Sequence, residues 1–566
     1  NETSLTYTAY DLTTGEETAT GFKFAGNIRL YEKALFFEQF WISGGTNCAL
    51  GDADGVISSF PTFSISDTHP LSGQCQWTSW YYGAHDGYDG NDGHDGHDGH
   101  DEEAPGLVAP GFLTPTCRAW NSTTVVPSGL AGTGPMVVFD DSAANTFVLS
   151  PMSHVMAANI IAKEGSVGYG VMGNVSSLAT DYASKTIMYM GTEGGGINNA
   201  VSEWGEAIRG WNNKPDAASA RRSDVTLQYL GYSTDNGAYY YYNTVEGEDY
   251  GQTLIDVKQY ADQVGLPYKW VLLDSWWYLK GSHDGVSDWT PQPDIFPNGL
   301  NALYEATGWL VQAHNRWWDS ETVYATANGG EYDFIIDNQG RNGAIPTEQR
   351  FWDDLLSDKA SWGLRVYEQD WLFNEFMEKV GAVLESATLA RTWLMQMGEG
   401  ARKAGLTIQY CMPYARHLLQ SVEIPVVTQA RASDDYQPGN DNWAMGGQNI
   451  LLDALGLAPS KDCFWSTVNQ PGNPYTYNDN VTEPYPELQA AAITLSAGPV
   501  AVADGIGYSN VELIMRSCRD DGLLLQPSSP MKMIDAALIY RAIPTGTGTS
   551  TSTSTNTNQG PDGEVY

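Results

Sequence analysis

A chain of 566 residues, 42% hydrophobic and 12% aromatic, has enough apolar side chain to bury a sizeable core, which excludes a disordered chain and a single small binding module. Its 29 Lys and Arg stand against 68 Asp and Glu, a formal charge of −39 whose field repels phosphate backbones and anionic headgroups. Nucleic acid and membrane surfaces are therefore poor partners; neutral sugars and cations remain.

The chain opens on Asn1 rather than Met and carries Asn-x-Ser/Thr triplets at Asn1, Asn121, Asn174 and Asn480, a pattern that predicts a processed, secreted or cell-surface glycoprotein. Cys48, Cys75 and Cys117 lie early and Cys411, Cys463 and Cys518 late, with no CxxC pair and no zinc spacing. One disulfide in each half, with one thiol over in each, is expected; six free thiols are the alternative. Residues 1–215 alternate short apolar runs, such as 21–41 and 136–149, with Gly, Asn, Asp and Pro turns, which predicts an N-terminal antiparallel β-sandwich. Inside it, residues 85–103 repeat His/Asn-Asp-Gly triplets that cannot build a core. They are expected to form a solvated acidic insertion rather than an ordered cation site. The polar connector 212–224 marks the boundary.

Over residues 216–543 the texture changes to short apolar runs alternating with helical stretches, the signature of βα units. Runs at 225–232, 268–274, 308–314, 364–370, 406–412, 424–431, 462–466 and 499–504 predict the eight strands of a (β/α)8 TIM barrel. The last belongs to an uncharged stretch, 490–503, broken by Gly498 and Pro499 and too short to cross a bilayer, so no membrane insertion is expected. Residues 544–566, with Thr and Ser alternating over 545–558, read as a linker or stalk, and a further C-terminal domain or cleaved fragment beyond it is expected.

In a barrel of this kind the C-terminal strand ends carry the chemistry. Asp235, Asp274, His314, Asp370, Arg431 and Trp465 stand at or just past such ends. Glycoside hydrolysis needs two facing carboxyls, one ionised and one protonated; Asp370 and Asp435 are the pair best placed for it. Trp276, Trp277, Trp317, Trp318, Trp371 and Trp465 cluster near the same ends. Flat indole faces there would stack on pyranose rings, although core packing explains any single one of them.

Several segments resemble, in chain order, glycoside hydrolase family 36 and the raffinose synthase/seed imbibition proteins, in the clan of the α-galactosidases. They are Gly231-Tyr-Ser-Thr-Asp235, Leu273-Asp-Ser-Trp-Trp277, Phe296-Pro-Asn-Gly-Leu300, His314 with Trp317 and Trp318, Arg431-Ala-Ser-Asp-Asp-Tyr436, and Ser496 to Asp504 with Gly507. The resemblance covers roughly residues 225–530 and implies a retaining, α-galactosidase-like hydrolase without a cofactor or a metal. Asp370 would be its nucleophile and Asp435 its acid/base. Asp235, Asp274, Trp276, His314, Glu368, Arg431 and Trp465 would line a carbohydrate substrate. Two positions depart from the family pattern: Glu368 replaces its Lys, and Ser275 replaces the second Asp of its Asp-Asp-Gly-Trp. Glu368 either meets the sugar or turns away to Arg365 or Arg431. Transfer to a sugar acceptor, as in raffinose synthase, and a non-catalytic carbohydrate-binding surface protein on the same barrel are the alternatives to hydrolysis.

Overall fold

The computed structural model describes residues 2–8, 23–65, 71–79, 113–124, 126–163, 165–240, 243–357, 359–439, 445–471 and 481–543. The insertion at 85–103, the stalk at 544–566, Asn1 and Asn480 lie outside the described residues. The amino-terminal part is antiparallel. Its strands are β1 (Glu2–Thr8), β2 (Lys23–Leu30), β3 (Ala34–Trp41), β4 (Thr62–Ser64), β5 (Leu71–Ser79), β6 (Leu113–Ala119), β7 (Met136–Asp140), β8 (Thr146–Pro151), β9 (Ala158–Lys163), β10 (Ser166–Val171) and β11 (Tyr182–Met190).

Eight of them form one sheet in the order β1-β2-β3-β11-β8-β7-β5-β6, and β9-β10-β4 form a smaller one. Side chains alternate across a strand, so β7 turns Met136 and Val138 towards Ile160 and Val167 of the small sheet. Val137 and Phe139 join the main core on the other face, together with Trp204 of helix α1 (Gly196–Asn212). Cys75 and Cys117 stand opposite each other in the β5–β6 ladder and form a disulfide. The second expected bridge does not form: Cys48, Cys411, Cys463 and Cys518 are free and buried, with Cys463 donating from its thiol to the Asp235 carbonyl.

The candidate site sits on a second, parallel sheet. Its strands are β12 (Gly231–Ser233), β13 (Trp270–Leu273), β14 (Leu310–Asn315), β15 (Leu364–Gln369), β16 (Thr407–Tyr410), β17 (Val427–Arg431), β18 (Ala458–Ser460) and β19 (Ala501–Val502). They run in the order β18-β17-β16-β15-β14-β13-β12-β19. A parallel bridge between Phe464 and Val502 links the two ends, giving a curled, barrel-like sheet. Helices α2 (Tyr250–Val264), α3 (Gly299–Thr307), α4 (Gln349–Leu356), α5 (Leu389–Ala404), α6 (Ala415–Ser421), α7 (Gly446–Ala454) and α8 (Pro486–Leu495) fill the crossovers. The Asp249 side chain caps α2 by accepting from the Gln252 amide, and Gly265 ends it at φ 81°, a left-handed conformation that glycine reaches at little cost.

Six of the eight strands have both ends within three residues of the predicted runs, and two are displaced. Residues 225–230 curl into turns in which the Val225 carbonyl accepts from the Gln228 and Tyr229 amides, so the first ladder begins only at Gly231. The seventh ladder lies at Ala458–Ser460, ahead of the predicted 462–466, because Asp462 turns aside to Arg431 and to the Tyr436 amide. Phe464 of that run still supplies the closing bridge.

Buried cations tie the two parts together. Arg416 on α6 is wholly buried and donates to the carbonyls of Met156 and Leu130 at 2.9 and 2.8 Å and to Asn159 Oδ1 at 2.9 Å. Removing a buried donor leaves its acceptors unsatisfied, at about 1–3 kcal/mol. R416A should therefore lower Tm by several degrees and weaken the denaturant midpoint, whereas an unchanged midpoint would show that these bonds add nothing net.

Candidate active site

Alternation along the strands decides which side chains meet inside the sheet. His314 lies two residues beyond Gln312 on β14, and Asp370 two beyond Glu368 of β15, so each pair shares a face. His314 Nε2 lies 3.0 Å from Asp370 Oδ2, and the Tyr278 hydroxyl lies 3.1 Å from His314 Nδ1. The other Asp370 oxygen accepts from the Trp371 amide at 2.6 Å. Burial works to raise the Asp370 pKa, yet the hydrogen bond and charge of His314, with the Cys411 thiol and the Trp371 amide, bring it below the ordinary carboxyl value. His314 moves the opposite way: burial lowers it, but the charges of Asp274, Asp370 and Glu368 leave it raised.

Across the site Arg431, at the end of β17, is shared among three carboxylates. It lies 2.8 Å from Asp435, 3.4 Å from Asp462 and 3.6 Å from Asp235. Asp435 keeps 35% of its side chain exposed, while Arg431 keeps only 3%. Desolvation, with the charges of Asp462, Asp370 and Asp274, outweighs Arg431 and pushes the Asp435 carboxyl up to about 7. Asp235 is raised well above its usual value by burial and by Asp462, Asp274 and Asp435. Asp274 completes the ring, its Oδ1 accepting from the Ser275 amide at 2.5 Å. Oxygens of Asp235, Asp435 and Asp462 lie within 4.8 Å of one another, a spacing that suits a metal ion, but the Arg431 guanidinium already supplies the positive charge among them.

Glu368 does not turn away to either arginine. Gln312 and Gln409 donate to its carboxylate at 2.9 and 3.0 Å, one layer deeper than Asp370, and no ion pair to Arg365 or Arg431 forms. Burial pushes it up to about 7. The tryptophans divide. Trp276 is wholly buried and stacked on Tyr250 at 3.8 Å, and Trp465 is wholly buried against Tyr436; both lie in the core and not on a surface that a sugar could reach. Trp318 packs against Phe351 and Trp352. Trp371, half-buried beside Asp370, packs edge-on to Trp317 with the Arg316 guanidinium over both rings.

Asp462, Tyr278, Gln312 and Gln409 are the participants that reading the sequence missed. The one signal for Gln312 was its two-residue spacing from His314. A further signal is visible in the backbone: Asn236, Trp371 and Met412 lie at φ 45°, 57° and 46°, each just past a strand end around the site. A bulky residue holds that conformation only under constraint, and such strain gathers at functional sites.

No family model and no curated protein matches the chain. Among solved structures, an α-galactosidase from Lactobacillus brevis aligns with a TM-score of 0.52 and 12% identity, over 91% of this chain and 69% of that one. An α-N-acetylgalactosaminidase from Bifidobacterium bifidum gives 0.47 and 9% over 90% and 83%, respectively. A β-arabinopyranosidase gives 0.46 and 12% over 91% and 76%. The first of these establishes a shared fold.

The raised carboxyls make stability pH-dependent. A carboxyl whose folded-state pKa exceeds its unfolded value binds more protons when folded, so the stability it contributes at low pH is lost as pH rises through the folded value. For Glu368 that window runs from 4.5 to about 7. E368Q keeps the shape and removes the titration. Its Tm should fall less than that of the wild type across this window, and an equal fall in both proteins would show that Glu368 does not titrate there.

Proposed function

We propose that the protein is a retaining α-glycosidase, α-galactosidase-like in its reaction, and that the curled sheet is a (β/α)8 barrel with its reaction centre at the C-terminal strand ends. The observation that carries this reading is the opposed state of two carboxyls in one site: Asp370 is held below the ordinary range while Asp435 is pushed up to about 7. Retaining glycosidases need that division of labour.

Asp370, kept ionised by His314, attacks the anomeric carbon as Asp435 gives its proton to the departing oxygen, leaving a glycosyl ester on Asp370. Asp435, now ionised, takes a proton from water, whose oxygen attacks the anomeric carbon and frees Asp370. A sugar hydroxyl in place of water would give transfer instead of hydrolysis. His314 thereby becomes a positioning residue for Asp370, with Tyr278 holding its other nitrogen, while Asp235 and Asp274 accept from substrate hydroxyls. Arg431 holds Asp435 in place. The disulfide between Cys75 and Cys117 supports an oxidising, extracellular setting.

Aryl α-glycosides test the reading. D435A should lower kcat/KM by about 10²–10⁴-fold, the usual worth of a general acid, and D370A should abolish turnover. Activity should decline as pH rises past about 7, where Asp435 loses its proton. The acid limb should move to higher pH in H314Q, because Asp370 loses the partner that lowers it. Wild-type levels of hydrolysis in D370A, or an acid limb unmoved in H314Q, would contradict these roles.

A further inference from the structure

We infer that the protein has a second saccharide-binding site, outside the reaction centre, in the cavity between α2 and residues 506–508, and that it takes a neutral oligosaccharide. The cavity has a volume of about 630 Å³ and is lined by Tyr239, Asn243, Asp256, Gln259, Tyr260 and Tyr508 among others. That volume is within the range of about 300–1,000 Å³ that small-ligand sites occupy. The proposed reaction makes no use of any of these residues.

The lining chemistry selects the ligand. No Lys, Arg or His is among the lining residues described, and Asp256 is the charged group present, so an anionic ligand would meet repulsion with no counter-charge. The amides of Asn243 and Gln259 offer donors and acceptors together, and the Asp256 carboxylate accepts, which matches hydroxyl groups that both donate and accept. Tyr260 and Tyr508 bring aromatic rings that are not fully buried to the wall, while Tyr239 is buried in it. The Tyr239 hydroxyl accepts from the Ile506 amide at 3.3 Å and the Tyr260 hydroxyl from the Ser509 amide at 3.4 Å. Both rings are thus held in place while each phenol keeps its own proton to donate. Tyr508 is 46% exposed, a large aromatic left open to solvent at the cavity. Rigid aromatics with two side-chain torsions lose little entropy on binding.

Place makes this site useful to the reaction. The Ala238 amide, three residues beyond Asp235, donates to the Ala503 carbonyl next to Asp504, so the cavity begins beside the strands that carry the site. A saccharide chain anchored here raises its effective concentration at the mouth without touching the reacting bond. The choice of a saccharide over another neutral polar ligand rests on the glycosidase reading above.

Binding of maltotetraose, isomaltotetraose and stachyose to D370N protein, measured by calorimetry, tests the site separately from turnover. At least one should bind, and Y508A or Q259A introduced into that protein should weaken the binding by about tenfold or more, as loss of an aromatic anchor does. In the otherwise native enzyme, Y508A should leave kcat/KM for an aryl α-glycoside within about twofold, since that substrate has no chain to anchor. Failure of all three to bind, or binding unchanged by both substitutions, overturns the inference. Wild-type protein that hydrolyses no glycoside yet binds a tetrasaccharide through Tyr508 would overturn the proposed reaction and leave this site standing.

Discussion

One buried guanidinium among three carboxylates governs the site. Arg431 reaches Asp235, Asp435 and Asp462, while Asp274, Asp370 and Glu368 stand close enough to add their fields. His314, cationic when protonated, is the other partner at hand. Six carboxyls with two such partners cannot all ionise in a medium of low dielectric, so protons must be retained by some of them. Burial first, and neighbouring carboxylates second, raise Asp235 and Asp435, which share one guanidinium, and Glu368, whose hydrogen-bond donors are amides. Asp370, with His314 as a dedicated partner, is held below the ordinary carboxyl range. The proposed division into nucleophile and acid rests on the opposed states of Asp370 and Asp435.

The fold maintains that imbalance by geometry. Parallel strands buried on both faces deliver polar side chains inward at every second residue, so Glu368 and Asp370 occupy successive layers of one interior, as do Gln312 and His314. The backbone then turns sharply: the left-handed conformations at Asn236, Trp371 and Met412 lie where strands give way to loops around the carboxyl ring. Burial of Arg416 and Lys214 between the two parts of the chain couples the antiparallel sheets to this interior, with Lys214 donating to the carbonyls of Ser421, Ile424 and Val427.

Much of this was legible in the sequence, and the reasons for the misses are physical. Apolar runs bounded by turn residues located six strands closely, because a strand buried on both faces must be apolar. The two displaced strands were led astray by apolar residues that turns or a single bridge absorb, at 225–230 and at Phe464. Asp235, Asp274, His314, Asp370, Arg431 and Asp435 converge because polar residues at strand ends have one place to go. Trp276 and Trp465 do not, since an indole at a strand end fills the wall as readily as the mouth. Asp462 was missed because it precedes an apolar run instead of ending one. Glu368 pairs with neither Arg365 nor Arg431, because its partners are amides on neighbouring strands, a pairing set by register that no local pattern displays.

The most direct test is to trap the glycosyl-enzyme. A 5-fluoro-glycosyl fluoride of the preferred α-sugar slows the second step, and peptide mass spectrometry of the inactivated protein then locates the adduct. Attachment of one sugar to Asp370, absent in D370A, is the expected result. Turnover of the same reagent with inversion at the anomeric carbon and no adduct, or an adduct on another carboxylate such as Asp274 or Asp435, would contradict the assignment of Asp370 as the ionised partner.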